Sequence, residues 1–471
     1  MRFYVLALAA CAMVGVALAS WIYHVEHLVS WTLWGLLTIV WLFPFVEDLS
    51  LRRFDLFELK NVFLVYYGLQ FVVWTGIVLA TGQTRWNIPV DVYFDEGILM
   101  SLVGLVAFII GYRSIFAQTV SRMLPAPPRQ WDPLRCRVAI IVCSILGIIA
   151  FYQLMNVVGG MSAYLLDRET FRSGGLVGKS YLVKTATFVL SIPAVLMYSR
   201  SRTRRDLGWA AVVFVLGLIP AVIIGFRTAI LFPIFQVLVY YHYVRRPFTI
   251  RVATLVFVPV FTFMAVFGLW RNVGDLDALG EDLSFDTQSK VGDALFRLLS
   301  RSHGGEILAI INEKVDTEGV PFAWGLDSAI EMATVVIPRD WYPDKIEDVS
   351  FRFGRTFFSD LIPRGSGGVS PTVIGELYWN FSWPGIFGGM WLIGVFCHAV
   401  YLWMKAHRNL SAIMVYGVLA SYVFFLVEAP TVATDSYLPN IVILVVVLRL
   451  ISPIKVALHS SPALVQQRSH V

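Results

Sequence analysis

Val138-Ala-Ile-Ile-Val-Cys-Ser-Ile-Leu-Gly-Ile-Ile-Ala-Phe-Tyr-Gln-Leu-Met-Asn-Val-Val158 carries no charged residue from end to end, and Arg135 and Arg137 stand just before it. A bilayer core takes about 20 apolar residues of helix, and in lipid each backbone polar group must be satisfied within the segment. This stretch therefore predicts a transmembrane helix with a basic end. Outward from it the pattern recurs at 3–20, 28–46, 61–81, 97–117, 181–198, 208–224, 228–244, 252–270, 383–404, 412–428 and 437–452. The runs 208–224 and 228–244 are short and separated only by Gly225-Phe226-Arg227, so they read as a tight helical hairpin or as one broken span.

Composition agrees. The 471 residues are 57% hydrophobic and 15% charged, with mean hydropathy +0.70. A soluble chain of this length carries roughly 25% charged residues, so a soluble multidomain enzyme and a disordered chain are both excluded. The fold class expected is all-α: a polytopic membrane protein of about 12 spans. Four units follow: helices over 1–270, a long loop over 271–382, helices over 383–452, and a tail over 453–471. Residues 1–20 imitate a signal peptide, but in a chain with so many further spans they read as an uncleaved first helix.

Positive charge sets the expected orientation. Alternate connections hold Arg52, Arg53 and Lys60, then Arg122, Arg129, Arg135 and Arg137, then Arg200, Arg202, Arg204 and Arg205. Arg245, Arg246 and Arg251 continue the series, followed by Lys405 and Arg408. Both termini are thereby placed in the cytoplasm and the long loop outside. That loop has ten basic and eighteen acidic residues, and long loops translocate regardless of charge. Arginines retained in so acidic a segment, at 339, 352, 355 and 364, point to positional roles. Helices are expected at 291–300, at 306–313 after a Gly304-Gly305 break, and at 328–337 up to Pro338. Another opens with Ser370 as N-cap and Pro371 as first residue. Together they predict a cap of short helices lying on the outer membrane face.

Several residues could carry chemistry. Arg227, between two apolar runs, reads as an anion clamp that grips phosphate bidentately or as an arginine snorkelling to headgroups. Arg168 and Arg172 share one face if helical, or pair with Asp167 and Glu169 in a solvated turn. Glu376 is a candidate base, or a partner for a nearby arginine. His303, the only histidine in the long loop, could accept a proton near neutral pH, though a surface histidine beside a Gly-Gly break has a simpler reading. Asp275, Asp277, Glu281 and Asp282 could ligate a divalent cation but read better as a solvated turn. Cys11, Cys136, Cys143 and Cys397 have no zinc or disulfide spacing. No phosphate-cradling loop, HExxH or CxxC occurs, so no metal, nucleotide or other cofactor is expected.

The order of these features resembles the Wzy-type polysaccharide polymerases of bacterial inner membranes. The matching pieces are Arg168 and Arg172, Gly225-Phe-Arg227-Thr, Pro338-Arg-Asp-Trp-Tyr-Pro-Asp-Lys345, and the block from Ser370-Pro to Pro384-Gly385. That last block, with Gly-Glu-Leu-Tyr and Phe-Ser-Trp-Pro-Gly, is the most specific. Arg364 and Gly375 also match an arginine, ten residues, glycine pattern of such polymerases; the earlier outer loop lacks its counterpart. The resemblance implies a glycosyltransferase that moves a growing glycan from undecaprenyl diphosphate to a new lipid-linked repeat unit outside the cytoplasmic membrane. It implies that Arg168, Arg172, Arg227, Arg339, Arg364 and Tyr378 hold the diphosphate and glycan, with His303 or Glu376 accepting the proton. Implied partners are the lipid-linked oligosaccharide, membrane lipids, and flippase and chain-length regulator proteins; nucleic acid is not among them. A ligase of similar architecture and a lipid-linked oligosaccharide flippase are the rival readings. Flippases often carry internal repeats with polar residues at the midplane. No such repeat is visible here, and Lys184 is one of few charges within the spans.

Overall fold

Charge-free apolar runs in lipid have one open-ended way to pair their backbone, the helix. A computed structural model gives such helices throughout. It describes residues 27–166, 171, 179–201, 203–225, 227–248, 255, 302–335, 337, 341–361 and 368–453, and all structural statements concern these. In chain order the longer elements are α1 (Leu28–Ser50), α2 (Leu59–Thr81), α3 (Val92–Tyr112), α4 (Phe116–Met123), α5 (Pro133–Val157) and α6 (Met161–Leu166). Then come α7 (Tyr181–Arg200), α8 (Arg204–Ile224), α9 (Arg227–Val244), α10 (Gly304–Thr317), α11 (Leu326–Thr334) and α12 (Val349–Phe357). The last are α13 (Val373–His407), α14 (Leu410–Leu426) and α15 (Pro430–Leu450).

Eight of these are long and apolar enough to cross a membrane: α1, α2, α3, α5, α7, α8, α13 and α15. The segments Ala229–Val244 and Leu410–Leu426 are apolar but shorter. The expected spans 3–20 and 252–270 lie outside the described residues. The surface is that of an α-helical membrane protein. Ile141, Ile145 and Ile148 on α5 and Val215 and Leu216 on α8 are all more than half exposed, which water would penalise at about 25 cal/mol per Å² and lipid would not.

Close helix approach sets the core. α13 packs along α3, and a Cβ at Gly394 would fall on the Phe108 carbonyl while one at Gly111 would fall on that of Trp391. Small residues at such crossings permit the backbone contact that drives helix association in lipid. Gly225, whose φ of 82° is left-handed, closes α8. The runs 208–224 and 228–244 thus fall on two separate helices, α8 and α9.

Basic residues gather at one end of the bundle. Arg200 donates to the Pro133 carbonyl, Arg135 to that of Ser452 and Arg245 to that of Ser201. Asp55, between α1 and α2, organises the same end. It accepts from Tyr243 at 3.0 Å and Tyr401 at 2.9 Å, lies 3.2 Å from His242 Nε2, and has Lys405 at 3.5 Å. Burial pushes Asp55 up, but the His242 hydrogen bond and charge, the Tyr401 hydroxyl and Lys405 outweigh it and hold the carboxyl below its usual range. This knot ties α9 and α13 to the α1–α2 connection. The helices α10, α11 and α12 stand at the opposite end, called here the cap end.

The cap departs from the sequence-based expectation in four ways. Gly304 and Gly305 form the first turn of α10 rather than a break before it, and a Cβ at either would collide with Phe71 or Thr75 of α2. Residues 304–312 are all buried, so α10 is wedged among α2, α3 and α13 rather than lying amphipathically on a surface. The helix expected over 328–337 runs from Leu326 to Thr334, started by Gly325 at φ 69°. Finally, Ser370 is not an N-cap. Its hydroxyl is spent on the Glu428 carbonyl at 2.8 Å, and Thr372 caps α13 by accepting the Gly375 N–H at 3.2 Å. The run 291–300 lies outside the described residues.

Candidate functional site

Three backbone reversals meet at one level of the bundle. The start of α10 abuts Phe71 and the Gln70 carbonyl. The α14–α15 turn reaches the same residues, with Gln70 Nε2 donating to Glu428 at 3.3 Å. The start of α13 joins that turn through Val373 N–H to the Val427 carbonyl at 2.9 Å. Gln70 lies well short of the end of α2 at Thr81. At about 1.5 Å per residue the polar level is sunk roughly 15 Å below that end. The segment Gly68–Val73 is π-helical, as is Thr185–Val189 in α7; such turns recur at functional sites. The arrangement is a polar floor recessed within the apolar bundle.

Glu376 and Glu428 are its carboxylates. Glu376, 3% exposed, accepts the Thr431 backbone N–H at 3.1 Å and the Thr431 hydroxyl. Thr431 is in the first turn of α15, where unpaired N–H groups and the helix dipole favour an anion. Glu376 thus caps α15 from a neighbouring helix. Glu428, on the turn itself, is held by the Tyr66 hydroxyl and by Gln70. It keeps partial exposure. Among the described residues it has no cationic partner.

The first two turns of α13 are bounded by strained backbone. Thr372 has φ 65° and ψ 162°, and Ser382 has φ 57° and ψ −152°. Both lie in a region that essentially only glycine visits, at a cost of about 1–3 kcal/mol each, a signature of functional segments. Tyr378 on this short helix is nearly buried and donates to Asn312 Oδ1 of α10 at 3.1 Å, while Asn312 donates to Glu96 of α3.

Beside the floor, Glu306 is fully buried and takes three donors: Trp74 Nε1 at 2.5 Å and the N–H groups of Arg85 at 2.8 Å and Trp86 at 3.2 Å. Burial raises its carboxyl against these hydrogen bonds. His303, the residue before α10, is half-buried, with Nδ1 3.2 Å from Arg85 Nη1 and its ring edge-on to Trp86. A guanidinium only donates, so Nδ1 is the acceptor and Nε2 carries the proton.

The roof and one wall are ionic. Arg352 of α12 donates to Glu331 at 2.7 Å, to Asp327 at 3.0 Å and to the Glu347 carbonyl at 2.9 Å, clamping α11 to α12. Burial and the neighbouring Asp348 carboxylate push Glu331 up to about 7 despite that arginine. Arg355 pairs with Glu347. Lys184 of α7 donates to the backbone carbonyl of Asp435 in α15 and lies 3.3 Å from its carboxylate.

Of the residues singled out from sequence, His303, Glu376 and Tyr378 are thus near the floor. Arg227 opens α9, one and a half turns from Phe232, which packs on Phe425 and Tyr437; nothing is described of its side chain. Arg168, Arg172, Arg339 and Arg364 lie outside the described residues, as do Asp275, Asp277, Glu281 and Asp282. Among the described residues no group of His, Cys, Asp and Glu is arranged to hold a metal ion. Sequence reasoning missed Glu428, Glu306 and Asp435. For Glu428 a signal existed: a lone acid at the end of an apolar run, two residues before a proline that starts the next helix. Glu306 and Asp435 are revealed only by their partners, more than two hundred residues away in the chain. No family model matches the chain, and no curated protein and no solved structure matches it significantly.

Proposed function

We propose that the protein is a membrane glycosyltransferase that polymerises undecaprenyl-diphosphate-linked oligosaccharide repeat units into a surface or secreted polysaccharide on the outer face of a bacterial cytoplasmic membrane. The observation that carries this reading is the recessed floor: polar groups within an apolar bundle, below a cap of short helices. A substrate with a long polyprenyl tail, a diphosphate and a sugar chain needs lipid-side access, cations near headgroup depth and a covered polar chamber. The sequence resemblance supports the same reading. In it the cap end faces outward and the arginine-rich end faces the cytoplasm, as the positive-inside rule requires.

In this reading Arg168, Arg172, Arg227, Arg339 and Arg364 gather the diphosphate, and Tyr378 meets the glycan. Diphosphate is the leaving group, so guanidinium groups that take up its developing charge lower the barrier. The proton acceptor is to be sought among His303, Glu376 and the remaining carboxylate of the floor. The test is deletion in the native host, followed by gel separation of surface and secreted polysaccharide. Loss of long chains with single repeat units left on lipid carriers or acceptors is the expected result. Full-length polymer stranded on its carrier points instead to a ligase, and unchanged polysaccharide overturns the enzyme reading in favour of a transporter.

A further inference from the structure

Three groups stand where a proton could be accepted, and their surroundings differ. Glu376 is enclosed, and both oxygens are engaged by Thr431 in holding the first turn of α15. His303 presents its lone pair to Arg85, so its other nitrogen is already protonated. Glu428 is different. It lies on a turn rather than in a helix, at the level where α10, α13 and α15 all begin, and it retains exposure. Its described side-chain partners, Tyr66 and Gln70 of α2, both donate to it and leave acceptor capacity free. The other titratable groups on elements packed there are His303 and Glu306 at the start of α10, the latter closed off by Trp74, Arg85 and Trp86, with Glu376 of α13 and Asp435 of α15, which is already paired with Lys184. An intramembrane carboxylate without a described cation is costly, and such residues mark function.

We infer that Glu428 is the catalytic base of the transfer. This rests on the polymerase reading. The acceptor sugar's hydroxyl oxygen forms a bond to the donor's anomeric carbon as the bond from that carbon to the diphosphate oxygen breaks. The bonding pair leaves with undecaprenyl diphosphate, and the hydroxyl proton passes to Glu428, which becomes a neutral carboxyl and returns the proton to water before the next cycle. Tyr66 is a positioning residue: its hydroxyl orients the carboxylate and stabilises the charged form.

The experiment uses membranes containing the full chain, supplied with lipid-linked repeat units extracted from the deletion strain, and follows chain extension from pH 5 to 9. The wild type is expected to show a rising limb as the base loses its proton. Glu428→Gln is expected to slow extension about a hundredfold or more and to lose the limb. Tyr66→Phe removes a hydrogen bond to the charged form, so its limb moves to higher pH, a displacement that a merely structural role would not produce. Extension by Glu428→Gln at the wild-type rate, or a limb that stays in place in both variants, overturns the assignment while leaving the polymerase reading intact. A wild type that makes no polymer from these substrates overturns the reading itself, and the assignment with it.

Discussion

The Glu376 carboxylate lies 3.1 Å from the backbone nitrogen of Thr431 and closes the first turn of α15 from α13, a helix that begins more than fifty residues earlier. Pro430, at the head of α15, has no N–H to offer, so Thr431 presents the first donor and Glu376 meets it. One consequence is mechanical: these bonds tie the strained short helix 373–380 to the start of the last span.

Glu376→Ala leaves the Thr431 N–H buried without an acceptor and is expected to destabilise the protein by about 1–3 kcal/mol. Glu376→Gln keeps an acceptor oxygen and should lose less than half of that. Thermal unfolding of the purified protein in detergent or nanodiscs checks the order; equal losses from both variants would show that charge, not the hydrogen bond, holds α15.

Arg352 is the clamp of the cap, and Arg352→Ala strands Glu331, which is 2% exposed. Breaking a buried pair by removing one partner costs about 3–5 kcal/mol where the other stays ionised, so well above pH 7 limited proteolysis should open the cap between α11 and α12 in this variant. Arg352→Ala combined with Glu331→Gln removes the stranded charge and should recover part of the loss.

Glu331 also predicts a pH dependence. Its folded-state carboxyl is raised to about 7 from 4.5. As pH rises through that window the unfolded chain gives up its proton before the folded one does, so folding stability falls with rising pH and levels off above 7. Glu331→Gln should flatten this slope relative to wild type between pH 4.5 and 7. A slope unchanged by the substitution would place the titration elsewhere.

Lys184 and Asp435 join α7 to α15. Lys184→Ala should destabilise by about 3 kcal/mol, whereas the double variant Lys184→Met with Asp435→Leu should restore most of it, because well-packed apolar pairs replace such ion pairs at little net cost. Polymer synthesis by the restored double variant would make the pair structural, and its absence would make it part of the chemistry.

The arginine clamp predicts that Arg227→Ala and Arg364→Ala abolish polymer at normal protein levels. Loss of one such contact costs about 3–4 kcal/mol, or 10²–10³ in rate. Arg→Lys at either position should rescue little, since lysine lacks the planar fork. Polymer of normal amount and length from both alanine variants would dismiss the clamp.

Much of the bundle was legible in the linear order of residues. The run 138–158 became α5 within a few residues of each end, and 28–46, 61–81, 181–198 and 208–224 likewise fell within described helices. The hydrocarbon core imposes length and apolarity locally, and both are one-dimensional properties. The cap was read less well. Gly304-Gly305 has the composition of a break, yet those glycines open α10 in close contact with Phe71 and Thr75. Ser370-Pro371 has the composition of a cap, yet the Glu428 carbonyl takes the serine hydroxyl.

The sequence by itself determined that this chain is helical and built for lipid, because apolarity over a bilayer's thickness and the obligation to pair every backbone N–H and C=O leave no other form. It also marked His303, Glu376 and Tyr378 as residues worth asking about. Only the tertiary structure decided that α10 is driven into the bundle, that Glu376 caps α15, and that Glu428 faces Tyr66 across 362 residues of chain. Polar partners in an apolar interior are chosen by which helix faces meet, and that depends on packing of the whole bundle rather than on any local pattern.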